Sequence, residues 1–272
     1  MIFEVNGHAA YCYTGGKAYN PALPTLVFIH GAQNDHSVWG LQTRYLAHHS
    51  FNVFAVDLPG HGRSKGLALI SVEQMADWLL ALLDVAGIAQ ATLIGHSMGS
   101  LIALEACFKA NTGASTRVSK LVMVGTAYPM KVSDTLLNAA RDEEQTAIDM
   151  VNIWSHTSIA HKPSCPGPGF YVMGVSQRLM QRISAINPDK VFYTDFAACN
   201  AYANGEAAAQ SVTCPSLFIL GKKDMMTPAK ASLTLSKAII SSQQKIIDNC
   251  GHSLMSEQAD QVLTAIHDFV KV

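Results

Sequence analysis

The 272-residue sequence lacks an excess of either charge: 19 lysines and arginines stand against 20 aspartates and glutamates, a formal balance of −1. That cancellation leaves no electrostatic footprint for nucleic acid or an anionic membrane. Long apolar runs are missing too, and none approaches the roughly 18 residues needed to span a bilayer. The opening MIFEVNGHAAYCYTGG has no basic stretch followed by an apolar one, so no secretory signal is expected and a cytoplasmic location is. Six scattered cysteines, Cys12, Cys107, Cys165, Cys199, Cys214 and Cys250, form no CxxC pair. They argue for reduced thiols and against a disulfide framework or a zinc site. No GxGxxG follows a strand pattern, and His156 and His161 stand apart in a loop, so neither a cofactor nor a metal is expected. Repeats and low-complexity segments are absent.

What is present is apolar. Hydrophobic residues make up 49% of the chain and charged ones 14%, which suits one large domain, or a domain with an insertion, around a substantial core. Short β-branched runs alternate with stretches of helical period, the pattern of a largely parallel sheet covered by helices. IFEVNGHAAYCY reads as two strands turning at Asn6-Gly7. TLVFIHG, FNVFAVD, ATLIG, KLVMVGT, SLFILG and QKIID read as further strands. SVEQMADWLLALLDVAG reads as a helix with a capping box at Ser71 and Gln74, and the C-terminal EQADQVLTAIHDFVKV as an amphipathic one.

Between about residues 127 and 210 the strands stop. SDTLLNAARDEEQTAIDMVNIW has helical spacing with Ser133 as N-cap, and SQRLMQRISAI and DKVFYTDFAACNAYA are further helix candidates. A helical insertion between two strands of one sheet accounts for this. The boundaries expected are 1–126 and 211–272 for the two parts of the core and 127–210 for the insertion.

The stretch LIGHSMGSLIALEA places Ser97 between Gly95 and Gly99, after a strand pattern and before a helical one. A very tight strand-to-helix turn holds a serine in a strained backbone conformation and leaves no room for side chains two residues away on either side. It also presents the hydroxyl at a helix N-terminus, where amides and dipole favour negative charge. G-x-S-x-G arises by chance in roughly one such chain in ten, so the flanking strand and helix carry the inference. A serine hydroxyl needs a base, and the base needs an orienting carboxylate. Asp224, just past SLFILG, suits the acid, and His252, in the loop after QKIID, suits the base. Asp224 also suits a cap for the helix starting near Pro228, and His252 also suits a buried structural histidine. Asp248 lies too close to His252 in sequence to reach it from the side, and Asp134 falls inside the insertion. Oxyanion donors are expected from the backbone amides of Met98, after the serine, and Ala32, after His30-Gly31.

As a set, His30-Gly31, DLPGHGRS (Asp57 to Ser64), GHSMG, GKKD ending at Asp224, and Gly251-His252 resemble the α/β-hydrolase superfamily. The resemblance spans most of the chain outside the insertion. It implies a mostly parallel eight-stranded sheet with a helical cap after the sixth strand, turn roles for Gly60 and Gly62, and a structural role for Asp57. Serine at position 97 departs from the aspartate nucleophile of haloalkane dehalogenases and epoxide hydrolases, GHSMG from the GGSWG usual in proline iminopeptidases, and HGAQND from the glycine-proline-glycine run usual in ring-cleavage C–C hydrolases.

The chemistry expected is hydrolysis of small to medium carboxylic esters or thioesters through an acyl-enzyme, with lactones as related substrates. The alternatives are C–C hydrolysis, perhydrolysis or acyl transfer by the same triad, or ligand sensing with little turnover. The only partner expected is a small-molecule substrate. Its pocket is expected under an apolar, methionine-bearing roof of Trp154, Phe170, Tyr171, Met173 and Met180, residues that equally suit holding the cap to the core, with Met98 and Leu254 beside the triad and His36 and Trp39 at the entrance.

Overall fold

A computed structural model describes residues 1–111, 116–157, 171–187 and 189–271. The chain opens with a hairpin of β1 (Ile2–Val5) and β2 (His8–Tyr13). Asn6 and Gly7 turn it with φ of 50° and 78°, a left-handed geometry these two residues adopt at low cost. Strands and helices then alternate: β3 (Thr25–Ile29), α1 (Gly40–Ala47), β4 (Asn52–Val56), α2 (Val72–Val85), β5 (Ala91–His96), α3 (Met98–Ala110) and β6 (Val118–Val124). Ser71 caps α2, its hydroxyl accepting the Gln74 amide at 3.2 Å.

Among the described residues, five helices separate β6 from the next strand: α4 (Asp134–Asp142), α5 (Glu144–Trp154), α6 (Val172–Ile186), α7 (Val191–Ala201) and α8 (Gly205–Ser211). The described residues of this stretch hold no strand. The sequence pattern predicted one helix from Ser133 through Trp154, but the structure divides it at Glu143, where φ is −140°. Arg141 to Gln145 are consecutive polar residues, with no apolar anchor to carry a continuous helix across them. The chain ends with β7 (Ser216–Gly221), α9 (Leu233–Ala238), β8 (Ser242–Ile247), α10 (Leu254–Glu257) and α11 (Ala259–Lys271).

All eight strands join one sheet in the order β1-β2-β4-β3-β5-β6-β7-β8. The β1–β2 and β2–β4 pairs are antiparallel and the rest are parallel. Strand side chains alternate between faces, so Val27 and Ile29 enter a core with Leu79 of α2 and Leu101 of α3. Leu26 and Phe28 enter the opposite core with Leu46 of α1 and Val262 of α11. Burial on both faces explains why these strands read as unbroken apolar runs. The inserted helices build a small core of their own around Leu136, Ile148, Met180, Phe192 and Phe196. Ala208 and Ala209 of α8, by contrast, belong to the main core with α3.

No helix among the described residues is long and apolar enough to cross a membrane. Cys12, Cys107, Cys199, Cys214 and Cys250 are free and buried, and Cys165 lies outside the described residues.

Candidate active site

The chain runs from β3 to β4 on one side of the sheet and resumes at β5 on the other, so a crevice opens at the carboxyl ends of β3 and β5. Open α/β sheets bind ligands at such a switch point. Ser97 immediately follows β5 with φ 53° and ψ −119°, a strained conformation for a residue with a side chain. Its amide donates to the Val124 carbonyl at 2.9 Å, and its carbonyl accepts the Ser100 amide at 2.8 Å. The two glycines now have their reason. A Cβ at Gly95 would run into the Gly99 carbonyl, and one at Gly99 would lie 2.6 Å from the His30 carbonyl oxygen.

The loops after β7 and β8 meet because Gly221 and Gly251 are bare; a Cβ at Gly221 would lie 2.8 Å from the Cys250 carbonyl oxygen. This contact brings Asp224 and His252 together, with Nδ1 of His252 2.8 Å from Asp224 Oδ2. Asp224 Oδ1 accepts the amides of Met226 and Thr227, each at 2.8 Å. Burial alone would raise the Asp224 pKa. The His252 charge, the His252 hydrogen bond and the Thr227 bonds outweigh it and hold the carboxyl below its ordinary value. Ser97 and His252 line one cavity of about 930 Å³. They are not hydrogen-bonded to each other.

Gly31 lets the loop after β3 close on Ser97, for a Cβ there would lie 3.2 Å from the Ser97 Cβ. Ala32 lines the same cavity, and Met98 opens α3, where first-turn amides have no intrahelical acceptor. The loop is held from the inserted helices. The buried Gln33 amide donates to Asp195 Oδ2 of α7 at 2.8 Å, and its side-chain Nε2 donates to the Met180 carbonyl and Ser184 Oγ of α6. The Ser155 carbonyl, just after α5, accepts the amides of His252 and Ser253 at 2.8 and 2.9 Å. The insertion therefore grips both the loop after β3 and the loop that carries His252.

The structure places some of the expected pocket residues on this cavity and others away from it. Tyr171 and Met180 line the cavity, and Phe170 lies outside the described residues. His36 does not line it: its amide and Nδ1 both lie on Asp57 Oδ1, at 2.8 and 2.7 Å, anchoring the turn that Gly60 and Gly62 make at positive φ. Trp39, Leu254 and the Met98 side chain are fully buried in the cores beside the sheet. Trp154 packs against the small core of the insertion. Met173 is buried off the row of α6 that faces the cavity, which runs through Val175, Arg178, Leu179 and Arg182 at helical spacing. Arg44, Arg178 and Arg182 also interrupt the apolar lining expected. Sequence shows that a helix has an inner row but not where that row points in a tertiary cavity.

Thr227 escaped the sequence reading. Its hydroxyl donates to Asp224 Oδ2 at 2.8 Å and lies 3.0 Å from His252 Nδ1. The signal was present in DMMT, because a threonine three residues after a loop aspartate suits a side-chain-to-backbone turn. Thr227→Val should lower kcat about tenfold with little change in KM, and Thr227→Ser should restore most of it. Equal loss in both variants would mean the hydroxyl does not position His252.

Two further histidines were also missed as structural groups. Burial pushes His96 down to about 3; its Nε2 donates to the His252 carbonyl at 2.9 Å, bracing that loop in the neutral form. His61 Nε2 meets Asp195 Oδ2 at 2.9 Å, and both side chains are buried. Burial lowers the His61 pKa, but the Asp195 charge and hydrogen bond outweigh it and raise the value above the ordinary one. A raised folded-state pKa contributes stability that is complete below an unfolded value of about 6.5 and is lost as pH rises through the folded value. The denaturant midpoint should therefore fall as pH rises above about 6.5, and the slope should flatten in His61→Asn. An unaltered slope would remove His61 as its source.

Asp35, His36 and Asp57 lie close enough together to suggest cation ligands. Their oxygens are already engaged: Asp57 by His36 and the Arg63 amide, Asp35 by Ser37 and Arg182. A second groove, of about 690 Å³ between β8 and α11, holds none of the residues described above.

Comparison with known proteins agrees with this architecture. The chain is 24% identical over 260 residues to (E)-2-((N-methylformamido)methylene)succinate hydrolase of Acinetobacter baylyi, covering 90% of each. It is 25% identical over 256 residues to pimeloyl-(acyl-carrier protein) methyl ester esterase of Nitrosomonas europaea, covering 85% of this chain and 89% of that one. Its fold superposes on an esterase from Exiguobacterium antarcticum with a TM-score of 0.83 at 19% identity, covering 100% of this chain and 99% of that one. The enol-lactonase of Burkholderia xenovorans gives 0.81 at 21% identity, with both chains covered completely. The sequence pattern of the alpha/beta hydrolase family matches residues 26–265, from β3 into α11, and to that family this chain belongs.

Proposed function

We propose that the protein is a serine hydrolase that cleaves small to medium carboxylic esters or thioesters through an acyl-enzyme. One observation carries the reading. A carboxylate-bonded imidazole shares a cavity wall with a serine held on a strained strand-to-helix turn. That is the arrangement needed to activate an otherwise weak nucleophile. Ester hydrolysis by the Nitrosomonas relative and the esterase and lactonase folds supports the same class.

In this reading Ser97 Oγ attacks the substrate carbonyl while His252 Nε2 takes its proton. Asp224, ionised across the neutral range, fixes the tautomer through Nδ1 and stabilises the imidazolium. The amides of Ala32 and Met98 bind the oxyanion. His252 then protonates the leaving group, and a water that it deprotonates clears the acyl-serine. The inserted helices act as a cap that holds both catalytic loops.

A panel of p-nitrophenyl esters of increasing acyl length, run beside thioesters and lactones, tests the reading, with fluorophosphonate labelling followed to the modified residue. Turnover with label on Ser97 supports it. Labelling without turnover on any substrate would favour ligand sensing. Ester or peroxyacid products on adding alcohol or hydrogen peroxide would favour acyl transfer or perhydrolysis.

A further inference from the structure

The cavity that Ser97 and His252 share is lined by three arginines and by no aspartate, glutamate or lysine among the described residues. No aspartate or glutamate stands at the undescribed positions of the sequence. In a chain whose acids outnumber its lysines and arginines by one, this is a marked local segregation of charge. The three come from two different helices that line the cavity: Arg44 from α1 of the core, Arg178 and Arg182 from α6 of the insertion.

Their partners differ. Arg182 pairs with Asp35, whose side chain is almost fully buried and also accepts the Ser37 hydroxyl. Asp35 therefore fixes the position of that guanidinium while its other N–H groups remain available. Arg44 and Arg178 make no ion pair among the described residues, and both are exposed at the cavity. Arg178 and Arg182 are four residues apart on one helix face, where like charges cost a few tenths of a kcal/mol. Asp35 offsets one of the three charges, leaving two that face the cavity uncompensated. Leu41 and Val175, at 58% and 53% exposure, line the same cavity and offer apolar surface beside them.

Guanidinium groups match the geometry of carboxylate and phosphate oxygens and are weakly hydrated, so two of them at a cavity attract an anionic group strongly. Resting on the hydrolase reading above, we propose that the preferred substrate is an ester or thioester carrying an anionic oxygen group, a carboxylate or phosphate, at the end remote from the scissile bond. Arg44 and Arg178 bind that group with Arg182 beside them, and the apolar surface receives the linking chain. The reactive carbonyl then reaches Ser97 with its charged tail already fixed, which favours productive over reversed binding.

The test compares the mono-p-nitrophenyl esters of glutaric acid and of 4-phosphonobutyric acid with p-nitrophenyl hexanoate, a neutral ester of similar length. The expected kcat/KM for at least one anionic ester exceeds that of the neutral one by about tenfold or more. The ratio should shrink as salt rises from about 20 mM to about 500 mM, and fall towards one in the Arg44→Gln/Arg178→Gln variant. Ratios near one for both anionic esters in the wild type, or a ratio unaltered by the double substitution, would overturn the proposal. Calorimetry on Ser97→Ala with glutaric monoanilide and hexananilide needs no turnover and separates the two ideas. Tighter binding of the anionic anilide that is lost in the arginine variant supports the anion site even if no ester is cleaved. Equal binding rejects it, whatever the wild type hydrolyses.

Discussion

Ser97→Ala should lower kcat on p-nitrophenyl esters at least about 10⁴-fold while leaving the fold intact. Other nucleophiles do not replace it: the cysteines of the described residues are buried, and among those whose thiol pKa burial raises are Cys12, Cys199 and Cys250. The loss should lie in kcat, because the attack it removes occurs only on the way to the transition state. Cavity binding should survive, since the amides of Ala32 and Met98 and the arginines are untouched. Ser97 Oγ has no hydrogen bond to forfeit among the described residues, and alanine inherits the same strained backbone, so the denaturant midpoint should change by less than about 1 kcal/mol equivalent. Steady-state kinetics beside a denaturant curve check both halves. A wild-type rate in the variant would move the nucleophile elsewhere, and a collapsed midpoint would make the lost activity uninterpretable as chemistry.

The same residues show how far a sequence can be read. The sheet was legible because its central strands β3, β4, β5 and β7 are buried on both faces, so each appears as a short apolar run bounded by turn residues, whereas the edge strand β8, largely exposed, showed only its closing isoleucines. Asp224 and His252 were legible because each stands in a loop just after such a run, and the carboxyl ends of parallel strands are close in space however far apart they are in sequence. Asp195 was not legible. It lies in the middle of TDFAAC on α7, and nothing local says that its partners will be His61 and the Gln33 amide of the core. The one available signal was an acid flanked by apolar residues on a helix that buries most of its circumference. The cavity wall failed for another reason. Which row of α6 faces Ser97 depends on how the insertion docks, and the arginines on that row look like an ordinary solvated face until the docking is known.

The elbow glycines carry the second large effect. Gly99→Ala should destabilise the protein by about 4 kcal/mol or more, enough to deplete soluble protein at 37 °C. The added methyl would meet main-chain carbonyls of residues 29 and 30 at the end of β3, 2.6 Å away at His30. Backbone atoms inside a paired strand cannot swing aside as a side-chain tip can. Relief requires either pulling α3 away from the sheet or shifting β3 against β5, and the second also displaces Gly31 and the Ala32 amide from Ser97. Variants that fold at low temperature should therefore show lost activity as well as a lowered midpoint. Gly40→Ala provides the control, because no atom of the described residues lies within 4 Å of a Cβ at Gly40 and that residue has an ordinary helical φ of −56°. Denaturant unfolding of both variants, with ester hydrolysis measured at 15 °C, distinguishes the cases. Near-wild-type stability in Gly99→Ala would mean that the approach of α3 to β3 is looser than the backbone geometry requires, and the tight-turn account of Ser97 would fall with it.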